Sequence, residues 1–187
     1  MTSRQQWAVV GAVVALLAVA GFTAMHYLED ELTSIGIGSD APGFSAYTIP
    51  ATGAGTGTPK SLSNYRGDVV LLNIWATWCL PCRTEMPSIQ ALHEALGPKG
   101  LKVVAVSIDQ PGDETKIREF LKEFRLTFEV LHDPTGAIKT IYRTTGVPES
   151  FIIARDGVIR RKVIGEEDWN SAGNQRLIAG LLAEPRP

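Results

Sequence analysis

Cysteine and histidine are scarce in this sequence, and basic residues are not in excess over acidic ones. The chain has 187 residues, of which two are cysteines and three are histidines. Two cysteines cannot build a disulfide-rich scaffold, and no histidine lies at a ligand spacing from a partner, so a zinc site is not expected. Lys and Arg number 18 against 20 Asp and Glu, which gives a net charge of −2. Without a basic excess, we expect no nucleic-acid partner.

Charged residues are missing from one long stretch near the N-terminus. Residues 7–28 contain no Asp, Glu, Lys or Arg. As a helix this stretch rises roughly 33 Å, enough to cross a hydrocarbon core of about 30 Å. Arg4 precedes the stretch, whereas three acidic residues at 29–31 follow it. The positive-inside rule then places residues 1–6 in the cytoplasm and the rest of the chain beyond a single-pass transmembrane anchor.

The same stretch also has a feature of cleaved signal peptides. Ala18-Val19-Ala20 resembles their small-residue cleavage site, but the apolar run continues to Leu28, which is longer than a signal peptide needs. We therefore favour an uncleaved anchor, and both alternatives export the rest of the chain. Residues 29–40 are predicted to be a linker, and residues 41–187 a single folded domain.

Downstream of the linker, apolar runs of strand length alternate with segments of helical periodicity. A Gly- and Thr-rich segment at 53–60 is similar to a phosphate-binding loop, but Pro59 stands where that loop needs glycine, so we predict a hairpin or surface loop. His93, His132 and the charged helix at 113–124 are expected to be solvated surface. The alternation predicts an α/β fold with a mixed central sheet and helices on both faces. The predicted strands are 69–76, 101–108, 128–131, 150–154 and 158–164, and the predicted helices are 80–96, 113–124, 137–142 and one around 177–182.

The two cysteines, Cys79 and Cys82, stand at the start of the helix predicted for 80–96. A helix N-terminus has unpaired amides and the positive end of the helix dipole, and both favour a thiolate on the first cysteine. The second cysteine lies one turn along the helix, close enough to form a disulfide with the first. This spacing favours reversible exchange, in which Cys79 attacks a substrate disulfide and Cys82 resolves the mixed disulfide. Pro81 is tolerated because an amide in the first turn needs no intrahelical acceptor.

Two segments and one proline of this sequence resemble a known family. They are the active-site segment 73–83 (NIWATWCLPCR), Pro87 in the following helix, and the segment 146–151 (GVPESF). From about residue 40 to the C-terminus the chain resembles thioredoxin-fold disulfide oxidoreductases of the membrane-anchored TlpA/ResA type, in the AhpC/TSA-Redoxin-like superfamily. The resemblance implies a thioredoxin-like fold with a central αβ insertion, here the helix at 113–124 and the strand at 128–131.

The resemblance also implies where a substrate binds. In this family the bond that corresponds to Val147–Pro148 is cis, and Pro148 is expected to pack beside the cysteines. The backbone of Val147 is expected to pair with the bound substrate strand. Trp78, Leu80 and Pro81, which precede and separate the cysteines, are expected to complete the substrate-binding surface. No cofactor beyond the redox-active disulfide is implied, and we expect a monomer.

Asn73 and Glu85 differ from the pattern of cytoplasmic thioredoxins. Those proteins usually carry at the position of Asn73 a buried Asp that helps to move the proton off the second cysteine, and an amide cannot do so. Glu85 lies three residues after Cys82, hence on the same helix face, and TlpA/ResA-type proteins typically have a Glu there. We expect Glu85 to be catalytic. The alternative is an acidic residue that only favours the first half of a helix.

The dipeptide between the cysteines, Leu80-Pro81, bears on the direction of electron flow. It lacks the histidine that stabilises the reduced form of the strong exported oxidant, which favours a reductant. The resemblance implies that an integral-membrane thiol carrier supplies the electrons. It implies protein substrates with a disulfide, such as apocytochrome c or a copper-site protein. The predicted location is the bacterial inner membrane, with the catalytic domain on the periplasmic side.

Three other functions are alternatives to this one. A Cu(I)-binding metallochaperone would use the same two thiolates, and a general disulfide oxidant or isomerase would differ only in reduction potential. Residues 61–67 resemble the alkyl-hydroperoxide-reductase family, which suggests a peroxidase. Peroxidase chemistry requires a Thr and a Pro at the positions where this chain has Ala76 and Leu72, so we exclude a peroxidase.

Overall fold

The structure of the protein is a computed structural model that describes residues 3–32, 35–49 and 57–186. The chain divides into two units, Met1–Ser34 and Ile35–Pro187. Helix α1 (Ser3–Leu32) belongs to the first unit. The elements of the second unit are, in chain order, β1 (Ser45–Thr48), β2 (Pro59–Ser61), β3 (Val69–Trp75), α2 (Leu80–Leu96), β4 (Leu101–Ser107), α3 (Glu114–Glu123), β5 (Glu129–His132), α4 (Ala137–Ile141), β6 (Glu149–Ile153), β7 (Ile159–Ile164) and α5 (Ala172–Ala183).

Helix α1 contains one segment, Gln5–Met25, that is long and apolar enough to cross a membrane. The helix continues to Leu32, beyond the end predicted at residue 28. Residues 29–32 (Glu-Asp-Glu-Leu) contain neither Gly nor Pro, and Glu and Leu are good helix formers, so no local signal stops the helix. The first four residues of the predicted linker are therefore helical.

A mixed sheet forms the centre of the second unit. Within the described residues its strand order is β2-β1-β5-β4-β3-β6-β7. The three central strands β3, β4 and β5 are parallel. Strand β6 pairs antiparallel with β3, and β7 pairs antiparallel with β6. Every residue of β3 is buried, as the continuous apolar run requires when both faces are covered. The predicted mixed α/β sheet is confirmed.

Helices cover both faces of this sheet. Ser150 and Phe151 are neighbours on β6, so their side chains point to opposite faces. The Ser150 hydroxyl accepts a hydrogen bond from Asn73, which also bonds Glu85 of α2. The Phe151 ring packs 4.9 Å from that of Tyr142, which follows α4. Helices α2 and α4 thus lie on opposite sides of the sheet.

The predicted strands and helices of the second unit agree with the structure to within one residue at most ends. The segment predicted as a hairpin or surface loop leads into β2, which pairs antiparallel with β1, and residues 50–56 between them lie outside the described residues. The folded unit begins before residue 41, because Gly38 and Ala41 donate backbone hydrogen bonds to Ile159 and Gly157. Backbone hydrogen bonds of this kind cannot be predicted from amino-acid composition.

One surface prediction is wrong. His132 is buried, with Nε2 2.9 Å from the carbonyl oxygen of Asp109 and Nδ1 3.5 Å from the Glu114 carboxylate. Helix α3 also has a buried side, formed by Ile117 and Phe120. Most of the charged residues of α3 lie on its outer side and an apolar stripe packs on the sheet, so this helix is solvated on one side only.

Candidate active site

A disulfide joins Cys79 and Cys82 at the N-terminus of α2, so the structure brings together the two cysteines predicted to react. Strand β3 ends at Trp75, and four residues later Cys79 is the N-cap of α2. The Cys82 amide donates a hydrogen bond of 3.1 Å to the Cys79 Sγ. An amide donor and the positive helix end both stabilise negative charge on that sulfur.

The disulfide is buried, but its neighbours in sequence are exposed. Cys79 and Cys82 are 4% and 0% exposed, whereas Trp78 and Leu80 are 67% and 74% exposed. Pro81 is exposed as well. Large apolar side chains that face solvent beside a reactive group are typical of a contact surface for another protein.

The loop before β6 lies against Cys79. The Val147–Pro148 peptide bond is cis, which confirms the expectation drawn from the family resemblance. Pro148 is buried and Val147 is half-buried. The Val147 carbonyl oxygen lies 3.4 Å from Cys79 Sγ. A substrate that reaches Cys79 therefore has the Val147 backbone directly beside it.

Glu85 lies in the interior, on the same helix as Cys82, and is 2% exposed. Its Oε1 accepts a hydrogen bond of 2.7 Å from the Asn73 amide, and its Oε2 accepts one of 3.3 Å from Trp169 Nε1. Burial raises the pKa of Glu85 from 4.5 to about 7, although these donors act in the opposite direction. A carboxyl group with this pKa gains and loses a proton at neutral pH, as a proton carrier must.

Two partners of the site were not found from the sequence. Trp169 stands among acidic residues in the segment between β7 and α5, where no local pattern marks it as a partner of Glu85. Asp109, just after β4, accepts hydrogen bonds from the Thr77 amide (3.0 Å) and hydroxyl (2.6 Å). The signal for this second contact was present, because β3 and β4 are parallel and residues after them meet at one sheet edge.

Within the described ranges, no group of three or more His, Cys, Asp or Glu residues is placed to hold a metal ion. A thiolate pair binds Cu(I) well, but the structure supplies no further ligand cluster beside it. The arrangement therefore presents two sulfurs, a buried carboxyl group and an exposed apolar rim.

Comparisons with known proteins agree with this chemistry. The chain matches the AhpC/TSA family over residues 37–162. It is 35% identical to the thiol-disulfide oxidoreductase ResA of Oceanobacillus iheyensis over 150 residues, which cover 80% of this chain and 76% of that protein.

Solved structures extend the comparison to the fold. A crystal structure from Chlorobium tepidum, assigned to a thiol:disulfide interchange protein DsbE, has a TM-score of 0.68 and 32% identity, covering 80% of this chain and 100% of that one. The thioredoxin domain of a thiol-disulfide oxidoreductase from Bacteroides vulgatus, 21% identical, matches with a TM-score of 0.66 over 80% of this chain and 99% of that one, and shows the thioredoxin-like fold. The chain therefore belongs to the AhpC/TSA family and is a thioredoxin-fold thiol-disulfide oxidoreductase, similar to ResA.

Proposed function

We propose that the protein is a membrane-anchored reductant of disulfides in other proteins. The Cys79 thiolate attacks one sulfur of the substrate disulfide, the substrate S–S bond breaks, and the second substrate sulfur leaves as a thiolate that takes up a proton. The Cys82 thiolate then attacks Cys79, which closes the protein's own disulfide and releases the first substrate sulfur as a thiol. The observation that carries this order is the Cys82 amide, 3.1 Å from Cys79 Sγ at the helix N-cap.

Glu85 is proposed to move the proton of Cys82. The resolving cysteine is fully buried, so its proton needs an acceptor inside the protein. Glu85 is the buried carboxyl group one helical turn further along α2, and its pKa of about 7 suits transfer at neutral pH. Asn73 supports this role by donating to the carboxylate rather than by taking the proton itself.

The proposed substrate surface is the exposed rim formed by Trp78, Leu80 and Pro81 with the backbone of Val147. Within the described part of the chain, the N–H and C=O of Val147 have no backbone partner. An extended substrate segment would pair with them as an added strand, which holds its disulfide against Cys79. The exposed apolar rim supplies contact area on either side.

The direction of electron flow and the location complete the proposal. Leu80-Pro81 lacks a histidine, which supports a reductant. The apolar helix Gln5–Met25 supports an anchor in the bacterial inner membrane, with the catalytic unit on the periplasmic side. Anchoring raises the effective concentration near an integral-membrane thiol donor. The proposed substrates are apocytochrome c or a copper-site protein, and the enzyme acts as a monomer.

The reduction potential of the Cys79–Cys82 pair tests this proposal. The full chain in detergent is equilibrated with thiol–disulfide buffers, and the free thiols are counted by alkylation. A potential near or below about −250 mV, in the range of thioredoxin, supports a reductant. A potential near about −120 mV would instead identify an oxidant and contradict the proposal.

A further inference from the structure

A cavity of about 280 Å³ opens beside Trp78, which precedes Cys79 in sequence, and takes no part in the exchange steps above. Trp78, the residue before Cys79, forms one wall. Ile108 and Gln110 after β4 form a second wall, and Thr135, Lys139 and Thr140 form the third. We name this cavity the Trp78 pocket. Because Trp78 is adjacent to Cys79, a substrate bound at Cys79 brings its neighbouring residues close to this cavity.

Buried hydrogen bonds fix the wall between Trp78 and Gln110. The Asp109 carboxylate is fully buried and accepts hydrogen bonds from the Thr77 amide and hydroxyl. The Ser107 hydroxyl donates a further hydrogen bond of 2.6 Å to it. Asp109 therefore ties the chain that leads into Trp78 to the chain that carries Gln110. Pre-organised walls lower the entropic cost of binding a side chain.

The opposite wall is fixed in the same way by Asp133. Its carboxylate is buried and accepts hydrogen bonds from the Thr135 hydroxyl (2.6 Å) and amide (3.1 Å) and from the Ile138 amide (2.8 Å). These bonds hold the turn before α4 and the first residues of α4, which carry Lys139. The buried carboxylates of Asp109 and Asp133 thus anchor the segments that form the walls of the Trp78 pocket.

The charge presented to the Trp78 pocket is positive. Lys139 is exposed and is the only charged residue among those that line it. Among the residues that the structure describes, no carboxylate forms an ion pair with Lys139. The two nearby carboxylates, of Asp109 and Asp133, are buried and satisfied by the donors named above. The pocket therefore offers an unpaired ammonium group together with the hydroxyls of Thr135 and Thr140.

We propose that the Trp78 pocket binds an Asp or Glu side chain of the protein substrate, close in sequence to the reacting cysteine, and that Lys139 makes acidic substrates preferred. The inference rests on the proposed function, because the side chain in the pocket is that of a substrate whose disulfide lies at Cys79. In a partly exposed pocket, one ammonium group stabilises a bound carboxylate only modestly. Acidic substrates are therefore reduced faster than others, but the others are not excluded.

The test compares two peptides that form disulfide-linked dimers and differ only in Glu or Lys at the residues beside the cysteine. The reduced full chain in detergent reduces each peptide, and each rate constant is divided by the rate with dithiothreitol to remove the intrinsic reactivity of the peptide. We expect the wild type to prefer the Glu peptide by about threefold or more at low ionic strength, with a smaller ratio at high salt. Lys139→Glu should invert the ratio, and Lys139→Gln should bring it near one.

Lys99→Glu is the matched control. It makes the same change in net charge at the opposite end of α2, so its ratio should equal that of the wild type. A wild-type ratio near one, or equal effects of Lys139→Glu and Lys99→Glu, would overturn the pocket assignment. Reduction of the neutral disulfide 4,4′-dithiodipyridine by the wild type distinguishes failure of the pocket assignment from failure of the proposed function. If the wild type fails to reduce it, the proposed function itself falls, and the pocket assignment with it.

Discussion

The side-chain amide of Asn73 lies 2.7 Å from Oε1 of Glu85 and donates a hydrogen bond to it. The same nitrogen donates a second hydrogen bond of 2.8 Å to the Ser150 hydroxyl, so the amide is fixed between α2 and β6. A donor in this position stabilises the ionised carboxylate, yet burial prevails and raises the pKa of Glu85 to about 7. The core beside the cysteine pair thus holds one group that titrates at neutral pH.

Glu85→Gln should slow thiol–disulfide exchange while the fold is kept. Without an acceptor for the Cys82 proton, we expect the exchange rate at neutral pH to fall at least about tenfold. The pH–rate profile of the variant should also lack the inflection near pH 7 that we expect for the wild type. Reduction of a small disulfide is measured from about pH 5 to 9. Glu94→Gln, an exposed change on the same helix, should leave the profile unchanged. An unaltered profile for Glu85→Gln would reduce this residue to a charge that favours the helix.

The same group should make the stability of the oxidised protein depend on pH. Because the folded state raises the pKa of Glu85 from 4.5 to about 7, it binds more protons than the unfolded state between these values. Stability therefore falls as the pH rises through this window and the loss is complete above it. Relative to the wild type, Glu85→Gln should gain roughly 3 kcal/mol between about pH 4 and pH 8. Urea unfolding at both pH values measures this gain. A constant difference would mean that the pKa of Glu85 is not raised.

Asn73→Asp should place two carboxylates in contact in the core. At hydrogen-bond distance they share one proton, so the pair keeps it to a higher pH than Glu85 alone does. We expect the variant to lose about 2–4 kcal/mol more stability relative to the wild type at about pH 8 than at about pH 5. Asn73→Ala removes the hydrogen bonds without adding a charge, so its deficit should vary less with pH. Equal pH dependence of the two variants in urea unfolding would contradict the contact.

The elements that position the cysteines were predictable because local signals agree with the tertiary structure. Helix α2 has the predicted bounds, since Pro81 suits its first turn and Gly97-Pro98 follows its last. The strands β3 and β4 are seven residues long and predominantly apolar, and only Asn73, Lys102 and Ser107 interrupt their apolar runs. Strands β1 and β2 were not predicted as separate strands, because four and three residues beside a Gly-rich loop carry little periodicity.

The candidate site was predictable only where chemistry is local in sequence. Cys79, Cys82 and Glu85 follow one another along one helix, so spacing alone places them together. Trp169 reaches Glu85 across 84 positions, and His132 reaches Asp109 across 23, so these contacts depend on how the sheet and helices pack. The walls of the Trp78 pocket come from three separate segments of the chain, so no single segment of the sequence predicts it.

Cys82→Ser should trap the substrate. Cys79 still attacks the substrate disulfide, but no thiolate is present to resolve the mixed disulfide, so a covalent adduct accumulates. Cys79→Ser should yield no adduct, because the remaining cysteine is fully buried. Non-reducing electrophoresis of membrane extracts, followed by reduction of the adduct, identifies the partner. If Cys79→Ser formed as much covalent adduct as Cys82→Ser, the assignment of Cys79 as the attacking and Cys82 as the resolving cysteine would be wrong.

Thr77→Val should destabilise the loop that carries Trp78. The Thr77 hydroxyl donates a 2.6 Å hydrogen bond to the buried Asp109 carboxylate, and valine keeps the shape of the side chain but removes this donor. A buried carboxylate that loses one of its donors costs about 1–2 kcal/mol of the free energy of unfolding. Thr115→Val, at an exposed position of α3, should cost less than about 0.5 kcal/mol. Urea unfolding of the oxidised proteins measures both, and equal costs for the two variants would show that Asp109 does not hold Thr77 in place.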